Sequence, residues 1–198
     1  SQTNMKNLRE FLDLLRREGD LVTVDAAVDA ELEIAEIHRR VLASGGPALL
    51  FTNVIGADFP CVTNLFGTRK RVDLAFGSRP QQFLAQLVEL AHELSSLSPR
   101  KLWGHRSLAG QLRKVGMKTD SRGPISECRQ SPPDLERLPL LKTWPEDGGS
   151  FITLPLVYTE HPENGKHNLG MYRIQRYDTR TTGVHWQIQK GGGFHYHV

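Results

Sequence analysis

Between Asn168 and Tyr196 the chain alternates side-chain character with the period of a β-strand and then runs into three consecutive glycines. Successive Cβ atoms on a strand point to opposite faces, so Met171, Arg173, Gln175 and Tyr177 share one face and Tyr172, Ile174 and Arg176 the other. The polar run Asp178–Gly183 predicts a connection, and His185–Ile188 predicts the return strand. Such a hairpin gathers Asn168, Arg173, His185, Gln187 and Lys190, more polar chemistry than sheet packing requires. A site for an anion, a metal ion or both is the expectation.

Upstream the spacing becomes helical. Leu8, Phe11, Leu12, Leu14 and Leu15 recur on one helical face, Asn7 and Glu10 have the layout of a capping box, and Gly19 is placed to end the helix. Leu21–Val24 then reads as a short strand. A second helix is predicted over Ala30–Ala43 with Asp29 as its N-cap, followed by buried strands over Ala48–Phe51 and Pro60–Phe66. Arg71–Gly77 fits a helix or an irregular segment, and Arg79-Pro80 opens a helix reaching Leu94. Leu108–Lys118 carries a weaker helical pattern.

Short apolar strands separated by helices predict an α/β (α+β) N-terminal domain. Turn-rich segments at Asp120–Pro124 and Ser131–Pro133 then mark a boundary, giving domains over 1–118 and 119–198. Beyond them Phe151–Leu154 and Leu156–Tyr158 read as strands. The alternation runs on to His197 and Val198 without a cap or turn, from which a β-rich second domain continuing past this stretch is expected.

Composition removes several classes. A formal net charge of +3, without basic residues concentrated on one face, argues against nucleic acid as a partner. The longest apolar stretch, Phe151–Tyr158, is too short for a membrane span and contains Pro155. Two cysteines, Cys61 and Cys128, form no ligand pattern or disulfide framework, which fits a reducing, cytoplasmic compartment; no amphipathic signal argues for peripheral membrane binding. Nucleophile elbows, Cys-x-x-Cys and His-Glu-x-x-His are absent from the sequence, so covalent hydrolysis has no support.

Arg173 is the first candidate for chemistry, because a guanidinium stays charged and binds a carboxylate or phosphate through two parallel hydrogen bonds. A strand arginine paired with an acid across the sheet is the plainer alternative. Asn168 offers an oxygen to a hard cation, although no carboxylate stands near it at ligand spacing. His195 and His197 share a strand face, a layout compatible with zinc or with two exposed histidines. Lys190 followed by Gly191–Gly193 suits either an anion nest or a flexible turn.

The segments Asn168–Arg173, Thr181–Gln187 and Lys190-Gly191 resemble the cofactor-binding core of the UbiD family of reversible decarboxylases. Leu8–Leu12, Gly19–Leu21, Pro47–Phe51, Asn64–Gly67 and Trp144–Ile152 are similar to other segments of that family, in the same order over nearly all 198 residues. The resemblance implies prenylated FMN bound with Mn²⁺ and often K⁺, and non-oxidative loss or gain of CO₂ on aromatic, heteroaromatic or α,β-unsaturated acids. It implies a flavin prenyltransferase as cofactor supplier and a homo-oligomer. It also implies a split-barrel flavin-binding domain after the N-terminal α/β domain.

Carried over residue by residue, the resemblance makes Asn168 a metal ligand and Arg173 the catalytic arginine. Met171, Tyr172, Arg173, His185, Trp186, Gln187, Lys190 and Gly191 become cofactor contacts. The family's metal-binding glutamate and the acidic partners of its arginine fall beyond Val198, so these 198 residues are expected to be inactive alone. A standalone flavin- or phosphate-binding domain and a split-barrel FMN oxidoreductase are the alternatives.

Overall fold

The Asn7 side chain opens the first helix, α1 (Leu8–Arg17): its Oδ1 accepts the Glu10 N–H at 3.0 Å while its amide donates to the Glu10 carboxylate at 3.1 Å. That is the predicted capping box, closed side chain to side chain. Gly19, with φ of 67°, turns the chain out of the helix. This computed structural model describes residues 7–77, 127–187 and 191–193, with Gly123 and positions 81, 82, 84–86 and 88.

Strand β1 (Leu21–Val24) pairs in parallel with β2 (Ala48–Phe51), which pairs antiparallel with β3 (Cys61–Thr63). A parallel pair needs a crossover, and α2 (Glu33–Ala43) supplies it. Ile34 and Phe51 are fully buried and pack with Val28, Leu49, Val54 and Cys61 as the core. Burial also pushes the Cys61 thiol up to about 11, in keeping with a core residue rather than a nucleophile.

α2 begins at Glu33, three residues later than the pattern predicts. Glu31 instead forms a parallel bridge with Lys142, the Leu32 N–H donates to the Lys142 carbonyl at 3.0 Å, and Leu32 has a positive φ of 67°. Asp29 still accepts a backbone N–H, that of Glu31, at 2.7 Å. A distant segment has taken the first turn of the expected helix for strand pairing. β3 is likewise shorter than predicted, because Asn64 turns to a φ of 59° and its side-chain amide donates to the carbonyls of Gly46 and Pro47.

The segment open between helix and loop is a helix, α3 (Arg69–Phe76), capped where Thr68 Oγ1 accepts the Arg71 N–H at 3.3 Å. Positions 81, 82, 84–86 and 88 are helical, within the range expected from Arg79 onward. The rest of that helix and Leu108–Lys118 lie outside the described residues.

After a 3₁₀ turn at Leu135–Arg137, the chain supplies β4 (Phe151–Ile152), β5 (Leu156–Glu160), β6 (His167–Met171), β7 (Ile174–Arg176) and β8 (Thr182–Val184). These form two antiparallel sheets, β5-β6 and β4-β7-β8. The fold is therefore mixed α/β with small sheets, and no sheet among the described residues closes into a barrel. Two compact units result, residues 1–11 with 68–129 and residues 12–67 with 130–198. Among the described residues no helix is long and apolar enough to cross a membrane.

The single strand predicted over 168–177 is two strands in two sheets, broken at Tyr172 and Arg173. The return strand also comes earlier than predicted. Asp178 Oδ1 accepts the N–H groups of Arg180 at 2.7 Å and Thr181 at 2.8 Å, a tight turn that starts β8 at Thr182 instead of His185. Gly183 is thus a strand residue. The Tyr177 ring lies so close that a Cβ at Gly183 would stand 2.2 Å from the phenol oxygen.

Replacing Ile34 by alanine should lower stability by about 2–5 kcal/mol, read as a shift in the urea midpoint. Val22→Ala, at an exposed position of β1, should cost less than about 1 kcal/mol in the same assay.

Candidate functional site

Phe151 is the floor of the site. It is buried at the start of β4, held by pairing with Gln175 and by its N–H donating to the Leu141 carbonyl at 2.9 Å. The Arg173 guanidinium stacks on its ring, with Cζ 3.5 Å from the centroid, a cation–π contact that also fixes the guanidinium plane. The His185 ring meets the same ring in a T-shaped arrangement, with centroids 5.3 Å apart, and the His185 backbone N–H donates to the Arg173 carbonyl at 3.0 Å.

One edge of that guanidinium is occupied. Arg173 Nη1 and Nη2 donate to Asp147 Oδ1 and Oδ2 at 2.9 and 2.6 Å, a two-pronged pair with the arginine side chain 32% exposed and the aspartate 11%. The Arg173 guanidinium holds the Asp147 carboxyl below its ordinary value of 3.8, against the opposing effect of burial, and the Trp144 N–H reinforces it. Asp147 is itself pinned. Its Oδ2 accepts the Trp144 N–H at 3.1 Å, its own N–H donates to the Trp144 carbonyl at 3.0 Å, and the adjacent Gly148 carbonyl accepts from Gln175 Nε2 at 3.0 Å.

A second cluster lies on the inward face of β6. The Asn168 side-chain amide donates to the Tyr172 hydroxyl at 3.1 Å, and the Gly192 N–H donates to the same hydroxyl at 2.8 Å. Tyr172 is 4% exposed and meets the Trp186 ring at 5.0 Å. Among the described residues Asn168 Oδ1 accepts no hydrogen bond. A Cβ at Gly191 would stand 2.6 Å from that oxygen, and one at Gly192 would stand 2.6 Å from the Trp186 ring. The glycines are needed here for close approach. Gly191–Gly193 are helical and the Gly192 N–H is already used, which departs from both readings of the glycine run, the open anion nest and the flexible turn.

The predicted site residues therefore separate. Arg173 and His185 meet over Phe151, and Asn168, Tyr172, Trp186 and Gly191 form the second cluster. Met171 is exposed on the outward face of β6 with Leu169, beside Leu156 and Tyr158 of β5. Gln187 is exposed. Lys190, His195 and His197 lie outside the described residues. Among the described residues, no three or more His, Cys, Asp or Glu side chains are grouped to hold a metal ion. Residue-level reading of the sequence missed Asp147 and Phe151. The sequence marks Phe151 only as the first residue of a strand over Phe151–Leu154, and Asp147 only through the family-like segment Trp144–Ile152.

The profile described as the 3-octaprenyl-4-hydroxybenzoate carboxy-lyase N-terminal domain matches residues 12–91, and that of the Rift-related domain of the same enzyme matches 117–198. The chain belongs to the UbiD family. It is 48% identical over 191 residues to a subunit of the 4-hydroxybenzoate decarboxylase of Chlamydia pneumoniae, covering 96% of this chain and 32% of that protein. Its fold is similar to the closed form of the vanillic acid decarboxylase of Sedimentibacter hydroxybenzoicus, with a TM-score of 0.74, 26% identity, and coverage of 98% of this chain and 40% of that one. A second similar structure is the UbiD-class enzyme HmfF of Pelotomaculum thermopropionicum in complex with FMN, at TM-score 0.72 and 23% identity, covering 96% of this chain and 38% of that one; it bears on the fold alone. The chain thus spans about a third of the length of the family relative named first.

Stability should report the Asp147 pair through pH. A carboxyl held low in the folded state contributes stability above its unfolded value of about 3.9, and loses it as pH falls through the lower folded value. The stability gap between wild type and Asp147→Asn should therefore stay constant near neutrality and shrink between about pH 5 and pH 2, measured by urea unfolding across that range. Gly192→Ala should displace Tyr172 or Trp186 and cost about 1–3 kcal/mol, with a changed near-ultraviolet circular dichroism spectrum.

Proposed function

We propose that the protein carrying this chain is a carboxy-lyase that reversibly and non-oxidatively removes CO₂ from an aromatic, heteroaromatic or α,β-unsaturated acid, using prenylated FMN. The observation that carries this reading is Arg173, fixed by Asp147 and Phe151 in a member of the UbiD family, with N–H donors to spare. A guanidinium held this way orients a substrate carboxylate and stabilises charge as the C–C bond breaks. When bound, prenylated FMN supplies the electron sink for that bond.

The chain's own residues suit such a group. Asn168 Oδ1 is a hard oxygen donor and would be this chain's ligand to a cation such as Mn²⁺, with K⁺ as a second ion. Met171, Tyr172, His185, Trp186, Gln187, Lys190 and Gly191 are the proposed cofactor contacts. In this reading residues 1–118 form the N-terminal domain and 119–198 begin a split-barrel flavin domain. The protein works in the cytoplasm as a homo-oligomer supplied by a flavin prenyltransferase.

The test is coexpression of the full-length protein with a prenyl-flavin-forming enzyme, followed by an absorption spectrum and CO₂ exchange on candidate acids. Arg173→Ala should retain the flavin spectrum and lose about 10²–10³-fold in exchange. Plain FMN with hydride exchange to a nicotinamide would overturn the reading.

A further inference from the structure

An asparagine side chain is two-ended: its nitrogen donates, its oxygen accepts, and only the oxygen can ligate a hard cation. Rotation about one bond exchanges the ends, so an asparagine ligand needs a partner that holds its nitrogen. In this chain that partner stands four residues away.

Asn168 and Gly170 lie on the inward face of β6, and the Tyr172 ring folds back over Gly170, where a Cβ would stand 2.5 Å from the ring. The hydroxyl thereby reaches Asn168 and accepts a hydrogen bond from its Nδ2 at 3.1 Å. Gly192 makes the same allowance beside the hydroxyl. A Cβ there would stand 2.7 Å from the phenol oxygen, and the Gly192 N–H donates to that oxygen at 2.8 Å. Trp186 packs against the ring at 5.0 Å, and Tyr172 is 4% exposed. Strand alternation sets Asn168 and Gly170 on one face, the glycine clears the path, and the tyrosine closes it.

The protons decide the rest. A backbone N–H can only donate, so Gly192 takes one lone pair of the hydroxyl. The Asn168 nitrogen takes the other, and Oδ1 is turned away from the ring. A phenol can also donate, but to do so here the amide would have to reverse. The arrangement present is the one that offers the oxygen to a cation.

We propose that Tyr172 is a positioning residue for Asn168: its hydroxyl holds the nitrogen end of the amide, so that Oδ1 is the end presented to the metal ion. The identity of that ion as Mn²⁺ beside the flavin phosphate rests on the reading above; the orientation of the amide does not. The role belongs to the hydroxyl and is independent of the ring's place against the cofactor.

A carboxylate has oxygen at both ends and needs no such partner, which separates orientation from packing. In the full-length protein with FMN, with free Mn²⁺ read by electron paramagnetic resonance, Tyr172→Phe should weaken Mn²⁺ binding about 10–100-fold. In the Asn168→Asp background the same substitution should change it by less than about threefold, because either carboxylate oxygen serves.

Equal losses in both backgrounds, or no loss in either, overturn the proposal while leaving Asn168 as a ligand. If Tyr172→Phe does not fold, Tyr172→4-aminophenylalanine decides. Its amine donates where the phenol accepts, and Mn²⁺ affinity within about threefold of wild type there overturns the proposal. Wild-type protein that binds no Mn²⁺ with FMN removes the metal reading and the proposal with it. The predicted pattern of Mn²⁺ affinities in a protein that exchanges no CO₂ would instead leave Tyr172 in place and remove the decarboxylase reading.

Discussion

Leu141 and Lys142 carry backbone hydrogen bonds in two directions, and the second compact unit depends on them. On one side the Lys142 N–H donates to the Ala30 carbonyl and its carbonyl accepts from Leu32; on the other the Leu141 carbonyl accepts from Phe151. Leu141 also packs against the apolar core around Ile34 and Phe51. Buried backbone groups must be paired, and here one short segment pairs with both the β1-β2-β3 half and the start of β4. The ring on which Arg173 lies is therefore tied directly to the hydrophobic core.

From that anchor the site is built outward by ring and charge. Phe151 offers an apolar face to a guanidinium, Asp147 offers the counter-charge, and the glycines at 148 and 149 let the turn approach Gln175 closely. The Tyr172 hydroxyl performs the matching task on the other side of the break between β6 and β7, accepting from Asn168 and Gly192. Two adjacent residues, Tyr172 and Arg173, thus leave the strand pattern together, Tyr172 held by Asn168, Trp186 and Gly192 and Arg173 by Asp147 and Phe151. The break in the strand and the existence of the site have one cause.

Much of the first half was readable because its signals are local. The Asn7–Glu10 box, the glycine after α1 and the apolar run Ala48–Phe51 depend on neighbours within a few residues, and they form as expected. The start of α2 was misplaced for the opposite reason, since Lys142 lies 111 residues from Glu31, with which it also pairs by charge at 3.0 Å. In the second half Arg173 stood out by residue type, and the order of motifs pointed to the family. Asp147 did not stand out, because a turn rich in proline and glycine carries no periodicity from which to read a partner, and Phe151 read only as a strand residue.

The sequence by itself determined the alternation of helices and strands, the apolar positions of β1 and β2, the residue types available for chemistry and the family. Those follow from local propensity, periodicity and motif order. Only the tertiary structure decided which acid faces Arg173, that the run from 168 to 177 divides between two sheets, and that Gly191 and Gly192 serve close packing against Asn168 and Trp186. Each of these depends on side chains brought together from separate elements, and a linear pattern carries no term for such pairings.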